Sequence, residues 1–471
     1  MIMRDDTICA LSTPNAPGAI GVIRLSGDKA IEIANSVFEG KDLSKQKGQT
    51  LHFGKIKKGD EIIDEVMLSL FRGPHSYTGE DVIEISCHGS PFILAQVIEL
   101  MLEGGASAAR EGEFSMRAYL NGKMDLAQAE AVADLIAAES KAAHQMAMHQ
   151  MRGGFSEKIR ILREELIHFA SMIELELDFG EEDVTFAERD DLDELVKKIL
   201  KMIRQLIDSF ADGRVIKEGI PVAIVGEPNV GKSTLLNALL QEDKAIVSEI
   251  AGTTRDSIED VMRIGGMLFR FIDTAGIRQT EDVVESIGIK RSYEMMKKAS
   301  LILLLVDARE IGKEGIKELE EQIKAELGAN FAEKELITIV NKKDLIPASS
   351  LKSEKPEAGS QKPDFKHQMI YISALKEDGI EELQTYLEKI AIEKSQHATE
   401  SIVSNARHHQ ALKKAAEALE RVEEGIANGL TGDFLAMDIR QAQFFLGEII
   451  GTIDIDRDIL GHIFSSFCIG K

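Results

Sequence analysis

Between Gly226 and Ser233 the chain reads Gly-Glu-Pro-Asn-Val-Gly-Lys-Ser, a spacing of glycines, lysine and hydroxyl suited to holding phosphate. The glycines let the backbone curl so that its N–H groups point inward at a β-phosphate. Lys232 adds a cation where negative charge gathers, and Ser233 offers a hydroxyl to Mg²⁺. The helix expected after the loop turns its positive N-terminus toward the same point. A glycine turn could mimic this pattern, but the apolar run Ile220–Val225 before it and the helical texture after it supply a strand–loop–helix setting.

Three further strings follow in order. Thr253-Thr254-Arg255-Asp256 stands where a switch loop supplies a threonine to Mg²⁺, and Thr254 is assigned that role. Asp273-Thr-Ala-Gly276 follows the apolar run Leu268–Ile272, placing Asp273 to hold Mg²⁺ through water and the Gly276 N–H to meet a γ-phosphate. Asn341-Lys-Lys-Asp344 follows Leu336–Val340. A carboxylate at Asp344 can accept from guanine N1–H and from the exocyclic amine. Adenine offers neither donor, so a purine site built this way discriminates by leaving the wrong partner unpaired. Ser373-Ala374-Leu375, after Met369–Ile372, is placed to back the base. Each string alone is common. In this order they describe a GTP site made of Asn229, Val230, Gly231, Lys232, Ser233 and Thr234, then Thr253 and Thr254. Asp273, Thr274, Ala275 and Gly276 follow, with Asn341, Lys342 and Asp344 and the backing loop completing it.

One expected part is missing. Ras-like enzymes carry a glutamine directly after Asp-X-X-Gly to orient the attacking water. Ile277 takes that place here and cannot do so. Another polar group must align the water, and some cation must stand in for an arginine finger.

The elements that position these residues read as an alternating segment. Strands are expected at Ile220–Val225, Leu268–Ile272, Leu301–Val306 and Leu336–Val340, with helices between, which predicts a doubly wound sheet. Pro347 to Asp364 is rich in Ser, Lys, Pro and Gly and reads as a mobile loop. On either side the texture is helical. Ala127–Met151, Glu157–Ile173 and Asp191–Phe210 precede it, halting near Asp212–Gly213, and His408–Ala427 and Phe434–Ile449 follow it. A helical domain interrupted by a nucleotide-binding domain is the simplest organisation. The first 120 or so residues differ. Strand-like runs at Thr7–Leu11, Ala19–Leu25, Glu65–Phe71 and Asp81–Ser86, with one helix at Pro91–Leu102, suggest a compact α+β domain.

Composition bounds the rest. At 471 residues the chain has room for about three domains. No apolar run approaches the roughly 20 residues needed to span a bilayer, and the first residues lack the pattern of a signal peptide. The three cysteines, Cys9, Cys87 and Cys468, are odd in number and scattered, which argues against a disulfide framework and for the cytoplasm. A net charge of −24 repels nucleic acid on average, so any RNA contact needs a local basic patch or a partner protein.

With these motifs in view, Gly-X-Pro-Asn-Val-Gly-Lys-Ser and Ala251-Gly-Thr-Thr-Arg-Asp256 resemble those of the translation-factor-related bacterial GTPases. The ending Phe464-Ser-Ser-Phe-Cys-Ile-Gly-Lys471 narrows the resemblance to the MnmE (TrmE) family of tRNA-modification GTPases. Tyr77-Thr-Gly-Glu-Asp81, Gly112-Glu-Phe114 and Leu126-Ala-Gln-Ala-Glu130 point the same way, so the likeness runs from Asp6 to Lys471. It implies an N-terminal α+β folate-binding and dimerisation domain over residues 1–121 and a discontinuous all-helical domain over 122–218 and 394–471. An α/β P-loop G domain over 219–393 would be inserted in it.

The resemblance implies a homodimer that works with the FAD-binding protein MnmG. Together they would add a carboxymethylaminomethyl or aminomethyl group to C5 of the wobble uridine of certain tRNAs, with 5,10-methylene- or 5-formyl-tetrahydrofolate as the one-carbon source. It also implies GTP contacts from Ser248, Glu249, Ile250, Ala251 and Gly252, K⁺ in place of the arginine finger, with ligands matching Asn229, Ser248, Ile250 and Thr253, and G domains that pair across the nucleotide face. Ser248 stands where the family often has Thr. Glu285, otherwise a solvated helix residue, matches the water-orienting acid. Folate contacts match Arg24, Glu84, Lys123 and Lys471, cations for tail carboxylates and a carboxylate for the pterin edge. Cys468 reads either as a reactive thiol near the one-carbon group or as a small apolar residue in a docked tail. His88 reads as a packing or hydrogen-bonding residue. A ribosome-assembly or signalling switch built on the same G motifs is the competing function, and it has no use for a folate pocket.

Overall fold

A computed structural model of the chain describes residues 6–178, 189–241, 260–272, 293–310, 312–347, 367–396, 402–453, 457–465, 467 and 469–470. Two compact units emerge, one comprising Met1–Ala137, Ala147–Ile207 and Ala406–Lys471, the other Ala138–Met146 and Asp208–Asn405.

The first unit opens with β1 (Ile8–Leu11), β2 (Ile20–Ser26), α1 (Ala30–Val37), β3 (Phe38–Glu39), β4 (Thr50–Lys58), β5 (Glu61–Phe71) and β6 (Val82–His88). Next come α2 (Pro91–Glu103), β7 (Ser107–Ala108) and α3 (Glu113–Leu120). The strands form a sheet of order β3-β4-β5-β6-β2-β1-β7, antiparallel except for β1 with β7. Alternation explains it: on β6, Ile83, Ile85 and Cys87 are buried while Glu84 and Ser86 face outward. The buried residues pack against Ile33 and Ala34 of α1 and Leu94, Val97 and Met101 of α2. On the opposite face Ile8 and Ala10 of β1 pack on Phe114 of α3. Register sets Arg24 of β2 opposite Glu84 of β6. Burial pushes the Cys9 thiol up to about 12 and the Cys87 thiol up to about 11, so neither is a nucleophile near neutral pH.

Next come α4 (Leu126–Ala137), α5 (Lys141–Met151), α6 (Gly154–Asp178) and α7 (Arg189–Asp208). The helical texture over Ala127–Met151 is two helices, α4 and α5. Ser140 caps the second, its hydroxyl accepting from Ala143 N at 3.1 Å.

The second unit begins its main run with α8 (Phe210–Glu218). The helical stretch does not halt at Asp212–Gly213. Gly213 N donates to Ser209 O at 2.9 Å, and the helix ends instead at Gly219. There follow β8 (Ile220–Val225), α9 (Lys232–Gln241), β9 (Asp260–Ile264), β10 (Met267–Phe271) and β11 (Leu301–Asp307). Then α10 (Lys313–Leu327), β12 (Glu335–Asn341), β13 (His367–Tyr371) and α11 (Ile380–Ser395) complete it. The sheet order is β13-β12-β11-β8-β10-β9, parallel apart from the β9 edge. One face packs Leu235 and Leu239 of α9 and Leu383 and Leu387 of α11 against Ile224, Leu303 and Ile339. The other packs Ile316 and Ile323 of α10 against Val225, Leu304 and Val340. This is the doubly wound arrangement the alternating pattern predicts. The loop expected at Pro347–Asp364 lies, but for Pro347, outside the described residues.

The chain returns to the first unit with α12 (Ala406–Ala427), α13 (Gly432–Ile450) and α14 (Arg457–Phe464). α13 packs against α12, α6 and α4. A buried cluster ties these helices together. Glu130 of α4 accepts from Arg407 Nε at 3.0 Å and from Arg407 and His408 of α12 at 2.8 and 2.7 Å. Arg407 also donates to the carbonyls of Glu448 and Ile449 at the end of α13, at 2.6 and 3.0 Å. The sequence pattern thus resolves into a P-loop α/β domain inserted in a discontinuous helical domain, with an α+β domain in front.

Candidate functional site: a nucleotide cleft and an N-terminal charged cluster

The C-terminal ends of β8, β11, β12 and β13 lie side by side, which is where parallel α/β sheets bind ligands. From β8 the chain enters the 226–231 loop. Gly226 has φ +153° and a Cβ there would meet Leu305 O at 2.2 Å. Gly231 has φ +101° and a Cβ there would meet Asn341 Nδ2 at 2.4 Å. Neither position admits a side chain. Asn229 between them is also left-handed, at φ 63°, a conformation asparagine tolerates better than most residues.

The Lys232 ammonium donates to Gly226 O at 2.7 Å and Glu227 O at 2.8 Å, which holds it across the mouth of the loop. Burial lowers its pKa from the ordinary lysine value. Ser233 and Thr234, both half-buried, stand in the first turn of α9. A helix N-terminus, a curled loop, a lysine and a hydroxyl together fit a nucleotide β-phosphate and its Mg²⁺.

The end of β12 grips that loop from behind. Asn341, 3% exposed, donates to Val230 O at 2.8 Å and accepts from Ala374 N at 2.9 Å. Lys342, left-handed at φ 65°, donates to Asn229 O at 2.8 Å and to Asp307 Oδ2 at 2.7 Å. Asp344 stands two residues on, with Lys376 Nζ 3.2 Å from its carboxylate. The Ser373 hydroxyl and then Lys376 hold its carboxyl below the usual range. Ser373 itself closes a small bridge with Asp378, which fixes the Ser373–Leu375 loop beside Asp344. Leu375 is 83% exposed. An ionised, acceptor-only carboxylate next to this loop suits a base that offers two donors.

So Asn229, Val230, Gly231, Lys232, Ser233, Thr234, Asn341, Lys342, Asp344, Ser373, Ala374 and Leu375 share one cleft. Ser248–Thr254, Asp273–Gly276, Ile277 and Glu285 lie outside the described residues. Sequence reasoning missed Asp307. It is 2% exposed and paired with Lys342 and with the Arg309 guanidinium, Nε at 3.1 Å and an amino nitrogen at 2.7 Å. The Arg309 fork first, and Lys342 after it, hold its carboxyl well below the usual range. The signal was an aspartate closing an otherwise apolar strand.

A second cluster sits on the N-terminal sheet. Arg24 pairs with Glu84 at 2.8 Å, and its guanidinium lies 5.2 Å from the Tyr77 ring centroid and 5.6 Å from that of Phe114. Arg24 and the Ser12 hydroxyl donate to Gly470 O at 3.4 and 3.1 Å, while Ile469 bridges Glu111. The C-terminal tail is thereby docked beside Arg24. Lys123, which is exposed, donates to Pro74 O at 2.8 Å, in the loop that leads to Tyr77. Lys471 and Cys468 lie outside the described residues. One cation set between two aromatic rings beside a carboxylate, with an exposed lysine on the adjoining loop, suits a flat heterocycle with an anionic tail. His88 is a hydrogen-bonding residue, its Nδ1 2.7 Å from the buried Asp64 carboxylate.

Among the described residues no helix is long and apolar enough to cross a membrane.

Comparison with known proteins gives concordant matches. A sequence model described as "GTP-binding protein TrmE N-terminus" matches residues 7–123, and one described as "MnmE helical domain" matches residues 126–468. The chain is 53% identical to a protein of Christiangramia forsetii named tRNA modification GTPase MnmE, over 99% of both chains. Proteins of the same name from Flavobacterium psychrophilum and Bacteroides thetaiotaomicron are 52% and 50% identical, over 99% and 100% of both chains respectively.

Proposed function

Since the chain belongs to the MnmE family of tRNA modification GTPases, and so is a GTP hydrolase acting in tRNA modification, we propose that it works with MnmG. The product would carry a carboxymethylaminomethyl or aminomethyl group on C5 of the wobble uridine. The observation that supports this most is the pairing of the nucleotide cleft with the Arg24–Glu84 cluster in one chain. A plain GTP switch needs the first and has no use for the second.

In this reading the chain's own residues divide the work. Gly226–Gly231 and Lys232 cradle the phosphates, Ser233 and Thr254 serve Mg²⁺ with Asp273, and Asp344 reads guanine against the Ser373–Leu375 loop. Asn229, exposed and left-handed, is the cation ligand in the phosphate loop, with Ser248, Ile250 and Thr253. When bound, K⁺ offsets the charge that develops between the β- and γ-phosphates. Glu285 orients the attacking water in place of the absent glutamine. Paired G domains of a homodimer gate the cycle. Arg24, Glu84, Lys123 and Lys471 bind reduced folate, and Cys468 acts either as a reactive thiol toward its one-carbon group or as a small apolar residue of the tail.

The net charge of −24 leaves much of the RNA contact to the partner. The deciding experiment is nucleoside analysis of tRNA from a strain lacking the gene. Loss of the C5 substituent from wobble uridines is expected, and an unchanged nucleoside profile would sink the proposal.

A further inference from the structure

The nucleotide cleft contains a buried acid that no motif accounts for. Asp307 ends β11, and parallel register sets it directly opposite Asn341 at the end of β12. That register puts it next to Lys342. A carboxylate at 2% exposure is tolerated only when its charge is answered. Here Lys342 Nζ answers at 2.7 Å, and Arg309 answers through Nε, an amino nitrogen and its backbone N–H at 3.1, 2.7 and 3.0 Å.

The consequence lies on the far side of Lys342. Its ammonium also donates to Asn229 O at 2.8 Å. A lysine is a point charge on a flexible four-carbon stem, and without a fixed counter-charge it would spread over rotamers into water. With Asp307 behind it, the ammonium stays at one place and holds one carbonyl. The two residues so joined, Asn229 at φ 63° and Lys342 at φ 65°, both occupy the left-handed region, where residues other than glycine are uncommon. The adjoining pair repeats the arrangement: Asn341 holds Val230 O at 2.8 Å. Two successive carbonyls of the phosphate loop are therefore tied to two successive residues of the base-side loop.

We propose that Asp307 is a positioning residue for GTP hydrolysis, fixing the Asn229 turn of the phosphate loop through Lys342. With its carbonyl engaged behind, Asn229 keeps its exposed side chain for the cation. That last consequence rests on the cation-ligand reading of Asn229, whereas the anchoring does not.

The test uses the full chain and three variants: Asp307→Asn, Lys342→Met and the double variant. Hydrogen exchange of the 226–233 amides reads the anchoring directly. Exchange at least about tenfold faster is expected in each variant, and the double variant should be no worse than Lys342→Met, because residues in one relay do not add. Arg309→Met should leave the loop amides near wild type. The K⁺ concentration for half-maximal GTP hydrolysis should rise at least about fivefold in Asp307→Asn, while affinity for GDP changes less than about threefold. A destabilised domain would instead lose protection throughout β11–β13 and lose GDP affinity alongside. Wild-type loop protection in Asp307→Asn, or additive effects in the double variant, would overturn the proposal. If Asp307→Asn does not fold, Lys342→Met gives the same reading of loop exchange, and wild-type protection there overturns it equally. A wild-type enzyme indifferent to K⁺ would remove the cation reading of Asn229, and loop exchange would still decide the role of Asp307.

Discussion

His408 Nε2 lies 2.7 Å from Glu130 Oε2, in a cluster where Arg407 grips the same carboxylate and the end of α13. Burial alone would raise the Glu130 pKa, but His408 and Arg407 outweigh it and bring the group from its ordinary 4.5 down to about 2. A carboxyl depressed on folding stabilises the native state above its unfolded pKa. That stabilisation is lost as pH falls from about 4.5 toward about 2. Glu130→Gln should therefore cost about 3 kcal/mol at pH 7. The gap to wild type should close as acid is added. Urea titrations followed by helical circular dichroism at pH 7 and pH 3 would show the gap narrowed by roughly half at the lower pH, and an undiminished gap at pH 3 would contradict it.

Asp344→Asn replaces an acceptor-only carboxylate by an amide with one acceptor and one donor group. Affinity for GTP should fall on the order of 10³-fold, while xanthosine triphosphate, which carries a carbonyl in place of the exocyclic amine, should bind better than GTP. Competition titrations with a fluorescent nucleotide test this. Undiminished preference for guanine would remove Asp344 from base recognition.

Hydrolysis of GTP should be at least about tenfold faster in K⁺ than in Na⁺ at equal ionic strength, as expected when a positioned cation offsets transition-state charge. Asn229→Ala should abolish the difference. Equal rates of phosphate release in the two salts would count against Asn229 as a cation ligand.

Glu285→Ala should retain GTP affinity within about threefold and lose at least about 10²-fold in turnover, the range expected for a group that aligns a proton-transfer partner. Single-turnover kinetics separate the two effects. Wild-type turnover would refute the role.

The N-terminal cluster should bind 5-formyl-tetrahydrofolate. Arg24→Met, which removes both the charge and the stacking over Tyr77 and Phe114, should weaken that binding at least about tenfold. Calorimetry on the full chain measures it, and equal affinity in the variant would place folate elsewhere.

Much of the cleft is legible because its parts are local. Gly226 and Asn341 sit at the ends of apolar strands, Lys232 opens the helix after the first of them and Asp344 follows three residues after the second, and β8 spans the same six residues, Ile220–Val225, that the apolar run predicts. Elements whose apolar residues face away from the core were not legible. β4 was missed because Leu51 and Phe53 are exposed, at 59% and 63%, while His52 and Gly54 point inward. β9 was missed because it is a five-residue edge strand whose apolar residues, Val261, Met262 and Ile264, are interrupted by Arg263 and follow no long apolar run; its Gly265-Gly266 hairpin turn to β10 is the signal that marks it. Asp307 was missed because its partner Lys342 lies 35 residues away, and only the parallel register of β11 with β12 makes them neighbours. The roles of Ser248–Thr254, Asp273 and Glu285 rest on pattern and resemblance.

The helical domain is discontinuous, and this has a consequence in time. Its first helices leave the ribosome with their buried faces complementary to α12 and α13, which begin at Ala406 and Gly432. Between Ile207 and Ala406 comes the long run of the other unit. At about 5–20 residues per second, synthesis of that run takes on the order of 10–40 s. The nucleotide domain, whose strands are contiguous in sequence, can close during that interval. The earlier helices must wait with apolar surface uncovered, and Glu130 must wait with its charge unanswered. Nascent chains halted near residue 400 should therefore be the species on which chaperones dwell, and the last 66 residues the stretch whose arrival releases them.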